Sequence, residues 1–151
     1  MGTNSTSSNI PTARLLLDAF RAFENELLQI LKKKGFNDIT MGNFNILRHI
    51  DPEGIRLSNL ASDAQLSKQA IGKMIGELEY KGYVELIPVE SDGRGKLVRF
   101  SKKGTKLINI AVSVVSNMES HYQSMLGESD YEKLRDSVQL ILQWHLSNRQ
   151  T

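Results

Sequence analysis

The chain has 151 residues, of which 40% are hydrophobic, and its formal net charge is only +2. This length and composition suit one domain with its own core and exclude a disordered chain. Cysteine is absent, which excludes disulfides, thiolate metal sites and thiol redox sensing, and the lack of a membrane-length apolar run or a signal-like start predicts a cytoplasmic protein.

Two amphipathic helices are predicted first in the chain, after a polar tail over residues 1–10 that we expect to be disordered. Apolar side chains recur at helical spacing over residues 16–31, and residues 34–35 supply a basic end and a glycine stop. Thr40 is the predicted N-cap of the second helix, which ends before a turn at residues 51–54.

A pair of short helices follows over residues 57–82. Residues 57–64 form the first of them, and residues 65–66 are a tight link to the second. Ser67 is a predicted N-cap, and Gly82 ends the pair. The inward face of the second helix is predicted to consist of Ile71, Ile75 and Leu78, flanked by Met74.

The period then changes from that of a helix to that of a strand. Residues 84–89 and 96–100 are short apolar or β-branched stretches on either side of a tip at residues 91–95. This pattern is typical of a β-hairpin. The sequence therefore predicts a two-stranded wing.

The last two helices are rich in apolar side chains. Ser101 is a predicted N-cap for a long helix with two apolar sides, and residues 129–132 are predicted to open the final helix as a capping box. With the first helix, they offer more apolar surface than a small core covers. This predicts a homodimer; the alternative is that these helices fold back on their own domain.

Positive charge is concentrated in the middle of the chain. Residues 56–106 hold ten basic and six acidic side chains, whereas the rest of the chain is mildly acidic. This asymmetry suits a segment that faces phosphates, although a solvated charged surface gives the same pattern. A helix pair followed at once by a basic hairpin indicates a winged helix-turn-helix that binds duplex DNA. The predicted fold class is mainly α, with a small β-hairpin wing and long terminal helices that form a dimerisation region.

The outward strip of the second helix of the pair is the predicted groove-facing surface. With Ile71 inward, a turn of about 100° per residue places Gln69, Gly72, Lys73 and Gly76 on the opposite side. Gln69 can pair with adenine or bridge to a phosphate, and Lys73 can reach guanine or a phosphate. Each glycine costs about 1 kcal/mol relative to alanine, and either close approach of the duplex or simple tolerance by the packing explains them.

The helix start and the wing supply further candidates. Ser67 and Lys68 lie where backbone amides and the helix dipole favour phosphate. Arg94 at a glycine-flanked tip suits a narrow minor groove, while the alternative is an exposed ion pair with Asp92, worth about 0–1 kcal/mol. Extra phosphate contacts are expected from Arg99, Lys102 and Lys103. The predicted DNA-binding residues are Ser67, Lys68, Gln69, Gly72, Lys73, Asp92, Arg94 and Lys96.

These features together resemble the MarR family of bacterial transcription regulators. The resemblance is carried by residues 60–84, by the wing at residues 91–94 and by residues 100–104, and it extends over nearly the whole chain. The Asp-x-Arg pattern of the wing is its most specific element. Gly72 departs from the family, which commonly has a hydroxyl or a larger side chain there, and Ser101 stands where threonine is more frequent.

The resemblance implies an obligate homodimer, triangular in outline, that binds a pseudo-palindromic operator. Residues 11–36 and 102–149 would be dimerisation helices, and residues 38–101 the winged helix-turn-helix region. Arg94 would enter the minor groove, with Asp92 holding it in place. A small aromatic effector would bind between the two regions and often lower DNA affinity, which implies a repressor released by a ligand.

Other classes of function receive little support from the sequence. No nucleotide loop, metalloprotease helix or nucleophile elbow is present, and His49, His121 and His145 lie far apart, so no enzyme, cofactor or metal site is predicted. The alternatives are a winged helix that serves as a protein-interaction module or non-specific DNA-binding scaffold, and a DNA reader without an effector. Ligand-binding residues are not assigned.

Overall fold

The computed structural model describes residues 10–90 and 95–148. Within these residues the chain forms six helices and three short strands, which confirms the mainly helical fold class with a small antiparallel sheet. The helices are α1 (Thr12–Lys33), α2 (Met41–Leu47), α3 (Leu57–Asp63), α4 (Lys68–Tyr80), α5 (Lys102–Leu126) and α6 (Glu128–Ser147). The strands are β1 (Ile55–Arg56), β2 (Val84–Pro88) and β3 (Lys96–Phe100).

The sheet has one strand more than the sequence predicted. Its order is β1-β3-β2, all antiparallel, with Ile55 opposite Val98 and Leu86 opposite Val98 on the other side. The predicted two-stranded wing therefore lacked strand β1. A strand of two residues is too short to show the alternation of apolar and polar residues that marks a strand in a sequence. Gly54 comes directly before β1 and is required there. Its φ is +96°, and a Cβ at this position would lie 2.9 Å from the carbonyl oxygen of Val98.

Contacts divide the chain into two compact units, one up to Ala111 and one from Val112 onward, with α5 running through the boundary. In α4, the face that helical periodicity predicted to be inward lies in the core of the first unit. Ile71, Ile75 and Leu78 of α4 are buried, as the sequence predicted. The largest of the other fully buried side chains of this unit are Leu27, Leu31, Leu47, Leu60, Tyr83, Val84, Val98 and Leu107.

Three of the predicted helix caps are present. The Thr40 hydroxyl accepts from the backbone of Asn43 at 3.1 Å, and the Ser67 hydroxyl accepts from the backbone of Ala70 at 3.1 Å. The Ser101 hydroxyl accepts from the backbone of Gly104 at 3.0 Å. Each cap satisfies an amide that has no partner within its helix.

The predicted capping box at residues 129–132 was wrong. Helix α6 begins at Glu128, its N-cap is Gly127 with φ of +81°, and no side chain caps it. Helix α5 ends at Leu126, so this single glycine turns the chain and leaves Ser129 already inside the first turn. Glu128 and Asp130 in that turn place negative charge where the helix dipole favours it.

The second unit pairs a buried aromatic ring with an arginine. Tyr131 is buried, and the Arg135 guanidinium lies 5.8 Å from its ring centroid and 3.8 Å from a carboxylate oxygen of Glu119. The cation–π contact lies within α6, and the contact with Glu119 joins α6 to α5. Among the described residues, no helix combines the length and the apolar character needed to cross a bilayer.

Candidate nucleic-acid interface

Helix α4 presents a polar strip on the side opposite its buried face. Gln69, Gly72, Lys73 and Gly76 are all exposed, as the helical geometry predicted. The Ser67 cap fixes the start of the helix, and no acidic side chain lies in its first turn. The exposed start therefore combines the positive charge of Lys68 with the positive end of the helix dipole, an arrangement that favours an anion.

The two glycines of this strip are not required by the fold. A Cβ built on Gly72 or on Gly76 would meet nothing within 4 Å. A larger side chain would therefore fit without any shift of the surrounding chain. Because glycine inside a helix is unfavourable relative to alanine, intramolecular packing does not account for either residue.

The second half of α4 is anchored to α2 through a buried amide. Asn43 is 3% exposed. Its Oδ1 accepts from Lys81 Nζ at 2.9 Å and from the backbone of Thr40 at 3.3 Å, and its Nδ2 donates to Glu77 Oε1 at 3.3 Å. Lys81 Nζ also donates to Glu77 Oε1 at 2.6 Å. The hydrogen bonds from Lys81 and then from Asn43 lower the pKa of the Glu77 carboxyl.

A second cluster holds the turn from α4 into β2 against the start of α5. The buried Tyr83 hydroxyl donates to Asp38 Oδ1 at 2.5 Å. Lys103 Nζ lies 4.2 Å from the Tyr83 ring centroid and 3.6 Å from Asp38 Oδ2, and it donates to the carbonyl of Lys81 at 2.8 Å. Lys103 thus has partners within the protein, although the sequence suggested a phosphate contact.

The ionisation of this cluster follows from burial and charge. Burial would raise the pKa of Asp38, but the hydrogen bond from Tyr83 and the charge of Lys103 outweigh it and leave that pKa below its usual value. Burial, and then the hydrogen bond to Asp38, raises the pKa of Tyr83. The carboxylate is therefore charged and the phenol neutral at neutral pH.

Close packing completes this junction. The Ser101 hydroxyl donates to the carbonyl of Gly82 at 2.5 Å, and the Ser101 backbone donates to the carbonyl of Tyr83 at 3.0 Å. A Cβ on Gly104 would overlap with that same Tyr83 carbonyl oxygen. Helix α5 can therefore start this close to the wing only because residue 104 is glycine.

The wing exposes the start of β3 and an ion pair between its two strands. Lys96 opens β3 and is exposed. Arg99 Nη2 lies 3.1 Å from Glu85 Oε2 across the two strands, so this predicted phosphate ligand has a carboxylate partner. Asp92 and Arg94, the predicted minor-groove pair, lie outside the described residues.

Two of the predicted DNA-binding residues line the same cavity as a third cation, which the sequence did not indicate. Lys68 of α4 and Lys96 of β3 line a cavity of about 400 Å³ together with Arg56, which ends β1. The remaining described lining residues are Leu57, Ser58, Ile71 and Gly95. The signal for Arg56 in the sequence was only its membership of the basic middle segment. Its position beside the wing depends on the short strand that the sequence did not reveal.

No candidate metal site is found in the part of the chain that the structure describes. There, no three histidine or carboxylate side chains come together as metal ligands. The exposed groups that this surface presents are cations, an amide and the backbone dipoles at the start of α4. Such groups bind anions and the edges of bases.

Comparison with solved structures identifies the fold. The S. aureus MepR–DNA complex matches with a TM-score of 0.73 at 20% identity, covering 89% of this chain and 98% of that one. A mutant form of E. coli MarR matches with a TM-score of 0.67 at 23% identity over 90% and 99% of the two chains. AbsC of Streptomyces coelicolor, a MarR family transcriptional regulator, matches with a TM-score of 0.67 at 23% identity over 98% and 99%.

Comparison by sequence adds one curated relative. The transcriptional activatory protein BadR of Rhodopseudomonas palustris is 25% identical over 89 residues, which are 59% of this chain. The match spans half of that protein's length. No protein-family model matches the sequence. The resemblance to MarR-family regulators is thus confirmed for the fold, over nearly the whole chain.

Proposed function

We propose that this protein is a sequence-specific, DNA-binding transcription regulator that acts as a homodimer, as a repressor of the MarR type released by a small-molecule ligand. The observation that carries the DNA-binding proposal is the exposed strip of α4. It holds an amide, a lysine and two glycines that the packing does not require, next to a wing with further exposed cations. A strip of this composition suits the major groove.

We assign the contacts by the chemistry of each position. Gln69 and Lys73 face base edges, with Gly72 between them allowing close approach. Ser67 and Lys68 at the start of α4 and Lys96 in the wing face phosphates. Asp92 and Arg94 serve the minor groove, an assignment that rests on the sequence resemblance.

The named relatives support this proposal in kind. MepR was solved in complex with DNA, and a mutant of it was solved bound to an oligodeoxyribonucleotide. BadR is called a transcriptional activatory protein. The relatives are transcription regulators rather than enzymes, which agrees with the lack of catalytic motifs in this sequence.

The homodimer is supported by apolar surface on the terminal helices. On α1, Leu15 and Phe20 are about half exposed. On α6 the exposed apolar side chains are Leu134, Val138, Leu140, Ile141, Leu142, Trp144 and Leu146. Apolar area of this extent is unusual on a monomer, and a second copy of the chain would cover it. A two-fold dimer then presents two copies of α4 to half-sites about 34–36 Å apart.

Selection from a random duplex pool is the experiment that tests this function. The purified protein is incubated with the pool, bound duplexes are amplified, and the best sequence is titrated at two salt concentrations. We expect a pseudo-palindrome with half-sites about one turn apart. Weak binding to every duplex, with strong dependence on salt, would instead indicate a non-specific scaffold and remove the regulator proposal.

Two alanine variants then locate the interface on the selected duplex. We expect Lys73→Ala and Arg94→Ala to weaken binding while the protein keeps its fold and its dimeric state. A base contact relaxes preference at one position, whereas a phosphate contact weakens all sequences alike. Lys133→Ala is the matched control, since Lys133 pairs with Asp130 on its own helix at 3.0 Å. Full affinity in both test variants would refute the proposed surface.

Repression and ligand release need a separate measurement. Transcription in vitro from a promoter that carries the selected site should fall when the protein is added. It should recover with a member of a panel of small aromatic and phenolic compounds. An increase in transcript would assign activation, the role that the name of BadR carries, and an unresponsive complex would leave a DNA reader without an effector.

A further inference from the structure

Helix α4 lacks a favourable charge in its C-terminal turn. That turn carries Glu77 and Glu79 and no basic side chain, whereas the negative end of a helix dipole favours cations. The C-cap residue, Lys81, pairs its own Nζ with Glu77 Oε1 at 2.6 Å. The last turn of α4 therefore supplies no cation for the carbonyl groups at its end.

Helix α5 supplies such a cation from its first turn. Lys103 Nζ donates to the carbonyl of Lys81 at 2.8 Å, and it also lies 3.6 Å from Asp38 Oδ2 and 4.2 Å from the centroid of the Tyr83 ring. Within α5 a lysine at this position is unfavourable, because the helix dipole is positive there and the first turn holds no acidic side chain. The position of Lys103 is therefore explained by the end of α4 and not by its own helix.

The three residues that follow α4 all accept hydrogen bonds from the start of α5. The carbonyl of Lys81 accepts from Lys103 Nζ. The carbonyl of Gly82 accepts from the Ser101 hydroxyl at 2.5 Å, and that of Tyr83 accepts from the Ser101 backbone at 3.0 Å. Three consecutive carbonyl groups held in this way fix both the distance and the direction between the two helix ends.

We propose that Lys103 is a positioning residue for DNA recognition, which caps α4 from α5 and thereby sets the spacing of the two half-sites that the dimer accepts. This inference rests on the proposed function. Helix α5 is one helix of 25 residues that begins in the first unit and continues into the second, and residues 102–149 are the proposed dimerisation helices. The orientation of α4 on α5 then determines how far apart the dimer holds its two copies of α4.

The geometry of the duplex sets the expected sensitivity. One base pair advances along the helix axis by about 3.4 Å and turns by about 35°, since one turn holds about 10–10.5 base pairs. In a two-fold dimer a shift of α4 against α5 occurs in both copies, so about 1.7 Å in each copy equals the advance of one base pair. A rigid junction rejects a site that is one base pair too long, whereas a loose junction tolerates it.

Duplexes that carry the selected half-sites at altered spacing test this role. The spacing is lengthened or shortened by one and by two base pairs, and affinities are measured for the wild type and for Lys103→Met, which keeps a long side chain but loses the charge and the donor. We expect the wild type to lose about tenfold for one base pair in either direction, because its second half-site is no longer engaged. Lys103→Met should lose less than about threefold, with its affinity for an isolated half-site within about twofold of the wild type. A loss of stability alone would lower affinity at every spacing alike.

Three further variants complete the design. Lys103→Arg should restore the sharp optimum, because a guanidinium also donates to a carbonyl group. Asp38→Asn keeps an acceptor for the Tyr83 hydroxyl but removes the charge opposite Lys103, so its optimum should be broader than that of the wild type. Lys106→Met is the matched control: it removes an exposed lysine of the same helix and should match the wild type at every spacing. Thermal unfolding of every variant checks the fold, and Asp38→Asn decides the question if Lys103→Met does not fold.

The outcomes separate this role from other roles of Lys103. A sharp optimum in both Lys103→Met and Asp38→Asn would overturn the proposal while the regulator stands. An equal loss at every spacing and on the isolated half-site, with a weaker dependence on salt, would assign Lys103 to a phosphate contact and overturn it as well. Equal broadening in Lys106→Met would trace the effect to net charge and have the same consequence. A chain that selects no duplex overturns both proposals together.

Discussion

At Gly72 and Gly76, the stability of the fold favours a larger residue, whereas the proposed DNA binding favours glycine. Neither has a neighbour that a Cβ would meet within 4 Å, so alanine should stabilise the helix by about 1 kcal/mol at each position. A duplex lying against this strip would meet the added methyl groups. We therefore predict that Gly72→Ala raises the urea midpoint of unfolding and lowers affinity for the selected duplex.

Gly104→Ala is the control for this prediction, because that glycine is required by packing against Tyr83. It should destabilise the protein by about 1–3 kcal/mol, the usual cost of overpacking. If Gly72→Ala gains stability and keeps full DNA affinity, close approach at Gly72 is excluded. The residue then reflects only the tolerance of the surface.

Asp38 gives the protein a predictable response to acid. Burial opposes its charge, but the hydrogen bond from Tyr83 and the charge of Lys103 leave its pKa in the folded state below the ordinary value of 3.8. The unfolded chain therefore takes up the proton first as pH falls. The stability that this carboxylate contributes is present above the ordinary pKa and is lost as pH falls through the folded pKa.

Tyr83→Phe removes the hydrogen bond that comes first among the causes lowering the pKa of Asp38, without changing the shape of the buried ring. We predict that the loss of stability between about pH 7 and about pH 3 becomes smaller in this variant than in the wild type. Urea unfolding at both pH values measures it. Tyr80→Phe, at a tyrosine that is 93% exposed, should leave the difference unchanged, and an equal change in the two variants would contradict the role of Asp38.

At the scale of elements, Asn43 sets the position of α4. Its side chain accepts from Lys81 and donates to Glu77, and it also reciprocates the Thr40 cap of α2. Asn43→Ala should cost about 1–3 kcal/mol, since buried polar partners lose their hydrogen bonds. Denaturant unfolding measures the loss. Asn45→Ala on the same helix should change stability little, and an Asn43→Ala variant as stable as Asn45→Ala would contradict the role of the buried amide.

The sequence was most informative where one element determines its own structure. Local spacing was enough to predict the inward face of α4 and the bounds of β3. Cap chemistry was enough to predict the helix caps at Thr40, Ser67 and Ser101. These features depend on neighbours within a few residues. They can therefore be predicted before any packing is known.

Features that join distant segments were missed. Strand β1 exists because β3 pairs with it, and Asn43 meets Glu77 and Lys81 across more than thirty residues of chain. The capping box at residues 129–132 failed because the turn at Gly127 started α6 one residue before Ser129. The described lining of the cavity with Arg56 comes from β1, α3, α4 and the start of β3, so no local pattern could indicate it.

At the scale of the whole molecule, the apolar stripe of α6 should decide whether two copies assemble. Leu134, Val138 and Ile141 lie on one side of this helix, and each is 39–47% exposed. A charge placed on this stripe would be buried without a partner in the proposed dimer. We predict that Ile141→Glu is a monomer by analytical ultracentrifugation, with unchanged helix content by circular dichroism.

The same variant links assembly to DNA binding. A monomer engages one half-site, so it loses the second contact that the linked partner supplies, and we expect its affinity for the pseudo-palindrome to fall by about 100-fold or more. Its affinity for an isolated half-site should match that of the wild type at equal concentration of binding sites. Gln143→Glu adds the same charge to an exposed position about 180° from Leu134 on the helix, and it should remain a dimer with full affinity. A dimeric Ile141→Glu with intact binding would place the contact between copies elsewhere on the chain.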